Sequence, residues 1–145
     1  MSTLARATRQ SCCLAVMPDL HTAGLACLEL HLDNSTELAI SMLNKPDVDA
    51  DHGDFFRVKF IGTVMCRGSV ARSLKQQSVV RGDRLWEMAE LLSLIGVPAH
   101  HEGIYDYALK SGMVVLVLQG DGETLRRGCH ILEDISMEKP VLYLV

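Results

Sequence analysis

The sequence predicts an α+β fold made of two β-α-β halves, and three observations carry that prediction. Residues 11–44 and 112–145 are equally long and share one plan: apolar run, acidic turn, amphipathic helix, second apolar run. Each helix starts at an aspartate, Asp19 or Asp121, whose carboxylate can accept from the unpaired amides of a first helical turn. Each half holds a single helix, and right-handed crossovers then place both helices on one side of a shared sheet. These features together specify a ferredoxin-like sandwich, β-α-β... β-α-β with a four-stranded antiparallel sheet. Residues 45–111 become a largely helical central insertion within one domain spanning 1–145.

Residues 1–10 read as a polar lead-in. From Ser11 to Met17 the chain is almost continuously apolar, as in a strand buried on both faces, and Pro18-Asp19 stops it. Leu20, Ala23, Gly24, Cys27, Leu28 and His31 follow at helical spacing and form the expected inward face. Asp33-Asn34-Ser35 ends the helix in turn-forming residues. Glu37 to Leu43 then alternates, with Leu38, Ile40 and Met42 on one side. In the second half, Met113 to Leu118 is a strand bounded by Gly112 and Gly120. Gly122 to Asp134 is a helix burying Leu125, Gly128, Cys129 and Leu132, with Ile135 just beyond it. Pro140 closes the connection, and Val141 to Val145 forms the last strand.

The middle is less regular. Lys45 to Asp54 is acidic and turn-rich, so a loop is expected. Phe55 to Cys66 alternates as a strand, although Phe56, Phe60, Ile61, Val64 and Met65 also fit a helix; the strand is the favoured reading. Ser69 to Ser78 is a short helix or an exposed connector. Asp83 to Ile95 has helical spacing, with Leu85, Met88, Ala89, Leu92 and Ile95 on one face and Asp83 near the cap. Gly96-Val97-Pro98 terminates it. Ala99 to Lys110 is a second helix, with Ile104, Ala108 and Tyr105 or Leu109 inward.

Composition narrows the function classes. Fourteen basic against eighteen acidic residues give a net charge of −4, which disfavours nucleic acid as a partner because phosphate binding needs concentrated positive charge. The one basic group, Arg67, Arg72, Lys75, Arg81 and Arg84, has no interleaved aromatic residues for stacking on bases and reads as a solvated face. Five cysteines without Cys-x-x-Cys spacing suit a reducing compartment and a core-filling role. No apolar run approaches the ~18 residues of a membrane span, and the N-terminal segment lacks a signal-peptide core. A cytoplasmic protein is expected.

The residues Leu94-Ile95-Gly96-Val97-Pro98, Ile104-Tyr105 and Leu109-Lys110-Ser111-Gly112-Met113-Val114-Val115-Leu116-Val117 resemble a family of small bacterial general-stress proteins of uncharacterised activity. In that family a Gly-Val/Ile-Pro turn precedes a short helix with an aromatic residue, then a glycine and a strand. The opening stretch from Leu14-Ala15-Val16 through Asp19 to Ile40 is similar in pattern. Residues 53–82 depart from the family because their glycines form no glycine zipper. The resemblance implies a ferredoxin-like, stress-related module; the membrane association that a zipper would bring is not implied.

Three groups of residues could carry chemistry. Asp47, Asp49, Asp51, His52 and Asp54 form the densest set of hard ligands, and Asp-x-Asp-x-Asp resembles the start of an EF-hand loop. Gly53 falls one place late and Val58 stands where the closing glutamate belongs, so a solvated acidic loop is the simpler reading. His100 and His101 are adjacent at a helix start and diverge, so they chelate poorly on their own; His52 with His100 or His101 across space is the remaining metal arrangement. Gly120-Asp121-Gly122 offers helix amides, but Asp121 puts negative charge where an anion would sit. No catalytic motif is present, and the only cofactor the residues suggest is a divalent metal. The sequence therefore points to a non-enzymatic regulatory or interaction module, a homo-oligomer with the dimer as first expectation, associating through an exposed sheet face or edge strand. The alternative is a metal- or small-ligand-binding protein or enzyme using the acidic loop and the histidines.

Overall fold

The computed structural model describes residues 11–33, 38–46, 54–81 and 85–144. Its framework is a mixed α+β arrangement around one seven-stranded sheet, not a four-stranded one. Strand β1 (Cys12–Met17) leads to helix α1 (Leu20–Leu32) and strand β2 (Ala39–Asn44). The second half supplies β6 (Val114–Gln119), α5 (Gly122–Glu133) and β7 (Val141–Tyr143). These four strands are neighbours in the order β2-β6-β1-β7, with β6 antiparallel to both β1 and β2, and β7 antiparallel to β1. Asp19 and Asp121 cap their helices as expected, accepting from the Thr22 amide at 2.7 Å and the Thr124 amide at 2.9 Å. These bonds favour the charged carboxylates and lower both pKa values.

The insertion adds strands as well as helices, which corrects the expectation of a largely helical segment. Phe55 to Cys66 is not a single strand; it is most of a hairpin, β3 (Asp54–Val58) and β4 (Gly62–Gly68), paired antiparallel. Next come α2 (Ser69–Arg81), the two-residue strand β5 (Leu85–Trp86), α3 (Met88–Ile95) and α4 (Glu102–Lys110), with a 3₁₀ turn over Ala99–His101 leading into α4. The sheet order is β5-β3-β4-β2-β6-β1-β7. The helix expected from Asp83 starts only at Met88, because Leu85-Trp86 pairs in parallel with β3 and buries the indole. Asp83 lies outside the described residues. At the helix start the Glu87 amide instead donates to the Glu90 carboxylate at 3.2 Å.

Both sheet faces are packed. On one, Ala15, Leu116 and Leu118 meet Ala23, Ala26 and Leu30 of α1 and Leu125 and Leu132 of α5. The other carries buried residues from every strand, covered by Leu74 of α2, Leu91, Leu92 and Ile95 of α3, and Tyr105 and Leu109 of α4. The sheet face expected to be open for a partner is therefore covered by the insertion. Ile104, expected inward, faces solvent.

A tight junction fixes the insertion to the first half. Strand β4 runs straight into α2 at Gly68, whose φ of 103° favours glycine. A Cβ there would strike the Ile40 carbonyl oxygen and lie 2.8 Å from Ser41 Cα. The close approach lets the buried Ser41 hydroxyl accept from the Val70 amide at 3.0 Å, satisfying one of the unpaired amides of the α2 N-terminus. Ser69 lies 3.3 Å from Ser41, and Gln119 of β6 donates to the Ile95 carbonyl at 3.4 Å.

Candidate functional site

The outward face of α1 is the surface that the sequence reading misplaced. Because this helix is apolar nearly all round, spacing alone allows more than one inward face. The observed one is Ala23, Ala26 and Leu30, whereas Leu28 and His31, expected inward, point to solvent. The small alanines bring α1 close to the sheet, and three leucines are left outside. Leu25, Leu28 and Leu32 are 48%, 57% and 75% exposed. Their spacing of three and four residues is that of a coiled-coil seam. Single exposed leucines need no explanation, but three in line on one helix form a contiguous apolar surface. Gly24 has nothing near its Cβ position, so a neighbouring backbone could approach there closely.

His101 belongs to a second arrangement, a chain of side-chain contacts with two tyrosines. Its Nδ1 lies 2.8 Å from the Tyr143 hydroxyl, which in turn lies 2.7 Å from the Tyr105 hydroxyl. The chain of contacts joins the 3₁₀ turn and α4 to the edge strand β7. Burial pushes the Tyr105 phenol well above its ordinary range, and the hydrogen bond with Tyr143 adds to the effect. Burial also raises Tyr143, against the pull of the Tyr105 hydrogen bond. Both phenols are thus neutral at physiological pH and act as a strut rather than as bases. Tyr143→Phe is expected to cost about 1–3 kcal/mol, since it strands a buried hydroxyl; urea denaturation of the variant measures this, and unchanged stability would refute the strut. His100 stacks edge-on against His101, with ring centroids 4.5 Å apart.

The proposed metal ligands are not gathered by the described structure. Asp47, Asp49, Asp51 and His52 lie outside the described residues. Asp54 begins β3, beside Lys75 at 3.7 Å. His101 is held against β7, five strand spacings away at ~4.8 Å each, or roughly 24 Å. Among the described residues no three histidine, cysteine or acidic side chains are grouped as metal ligands. The basic group is also divided: Arg67 shares its face with α1, while Arg72 and Lys75 belong to α2 on the opposite face. The side chain of Arg81 and all of Arg84 lie outside the described residues.

The cysteines are free, and Cys12, Cys13 and Cys66 are buried. Burial pushes the Cys12 and Cys66 thiols up to about 12, with the Asp54 charge adding to Cys66. Neutral buried thiols are poor nucleophiles, which fits packing. Among the described residues no helix is long and apolar enough to cross a membrane. Compared with protein-family models, curated proteins and solved structures, the chain matches none.

Proposed function

We propose that this chain is a non-enzymatic interaction module that self-associates as a dimer through the outer face of α1. In this reading its scaffold is a ferredoxin-like core, β1-α1-β2 with β6-α5-β7, widened by the three strands of the insertion. The carrying observation is the row Leu25, Leu28 and Leu32 on a helix already packed on its other side. A second copy is the fitting occupant because one leucine row pairs with its own image across a two-fold axis, at heptad-like spacing, with Gly24 admitting close approach. Edge-strand pairing is less favoured: the edges β5 and β7 are two and three residues long, too short for an extended ladder. The likeness to small general-stress proteins, carried by Gly96 to Val117, agrees with a module lacking catalytic machinery.

Size-exclusion chromatography with light scattering tests the reading. Wild-type protein is expected at twice the chain mass, and Leu28→Glu/Leu32→Glu at the monomer mass with unchanged circular dichroism. A strictly monomeric wild type would overturn it, as would a double variant that remains dimeric.

A further inference from the structure

A cleft of about 560 Å³ opens at one end of the sheet, beside the N-terminus of α1. Its floor is one row across three adjacent strands: Met65 of β4, Asn44 of β2 and Val114 of β6 are direct register partners. Leu20 and Pro46 add apolar wall. Because α1 packs over β1 and β6, and α5 over β7, β1 and β6, neither helix covers the β4 side of this row.

The polar groups of the cleft are unusual in what they lack. Asn44 is only 6% exposed, yet among the described residues no hydrogen bond reaches its side-chain amide. Asparagine is disfavoured in strands, and this one lines the cleft. Lys45 and Arg67 line the same cleft and form no ion pair among the described residues. Among the described residues Asp19 is the one carboxylate in the lining, and it is engaged in capping α1. The cleft thus offers an amide donor and acceptor on an apolar floor, with two cations at the rim that have no ion-pair partner among the described residues. Its size suits a small molecule.

We infer that this cleft binds a small organic anion with an apolar body. Arg67 and Lys45 hold the acidic group, Met65, Val114 and Leu20 cover the apolar part, and the Asn44 amide takes a hydrogen bond at the floor. The site is independent of dimerisation through α1, whose leucine row faces solvent.

The test uses 8-anilinonaphthalene-1-sulfonate, an apolar aromatic anion, in fluorescence titrations of the folded full chain. Wild type is expected to show one saturable site. Arg67→Glu should weaken it at least about tenfold, the scale of one charged hydrogen bond. Asn44→Leu should weaken it by a similar factor with unchanged circular dichroism, because it removes the hydrogen bond at the floor while keeping the side chain's bulk. The inference is overturned if wild type shows no saturable site, if binding is the same in both cleft variants, or if it is lost only in Leu28→Glu/Leu32→Glu.

Discussion

Gly68→Ala is expected to destabilise the protein by at least ~3 kcal/mol, lowering Tm by roughly 6–12 °C. Two costs combine. At φ 103° an alanine occupies backbone space that side chains avoid, and its methyl group collides with backbone of β2, which cannot swing aside as a flexible side chain could. Relieving the collision means separating β4 from β2, which stretches the bond from the Val70 amide to Ser41. Gly112→Ala is the matched control. Its φ of 80° is also positive, but nothing lies within 4 Å of the added Cβ, so only the backbone term of about 1 kcal/mol remains. Thermal melts of the two variants side by side check the difference, and equal losses would refute the role given to the β2–β4 approach.

Stability is expected to fall steeply between about pH 9 and pH 12. The Cys12 and Cys66 thiols rise from 9.0 to about 12 through burial, and burial raises Cys13 and Tyr105 as well. Between the unfolded and folded pKa values the unfolded chain has released these protons while the folded chain still holds them. The unfolded state therefore binds fewer protons, and by linkage the free energy of unfolding decreases as pH rises. The contribution is fully present below pH 9 and lost as the pH climbs through the folded values. Urea midpoints measured from pH 8 to 11 should decline, with a shallower decline in Cys12→Ala/Cys66→Ala. Equal slopes in the two proteins would show that these thiols do not control the alkaline limit.

The frame was legible because its signals repeat. Two apolar runs with matched aspartate caps give the β-α-β halves, and the alternation of Ile40 and Met42 gives the correct face of β2. The hairpin was hidden because the three connecting residues, Lys59-Phe60-Ile61, include no glycine or asparagine, Phe60 itself takes a φ of 69°, and the glycine that closes the turn, Gly62 at φ 104°, is already paired with Val58. Two strands and their connection thus read as one apolar segment. On helix α1 the expected inward face holds for Ala23 and Cys27 and fails for Leu28 and His31, because leucines all round it leave periodicity little contrast. The His101, Tyr143 and Tyr105 contacts span about forty residues of chain, a distance over which spacing carries no signal. Asn44 could have been flagged, since it is a polar residue following the apolar run of β2.

Strand β6 sits between β1 and β2, with Leu116 opposite Ala15 on one side and Met42 on the other. The two strands of the first half never pair with each other, so the N-terminal segment has no ladder to close when it leaves the ribosome. Its central partner arrives more than a hundred residues after Cys12, whose register mate is Gln119. Sheet closure must then await the arrival of β6, and such long-range pairing folds slowly. Until then β1, with its adjacent Cys12 and Cys13, is an apolar strand without its central partner, and such a strand is prone to aggregate.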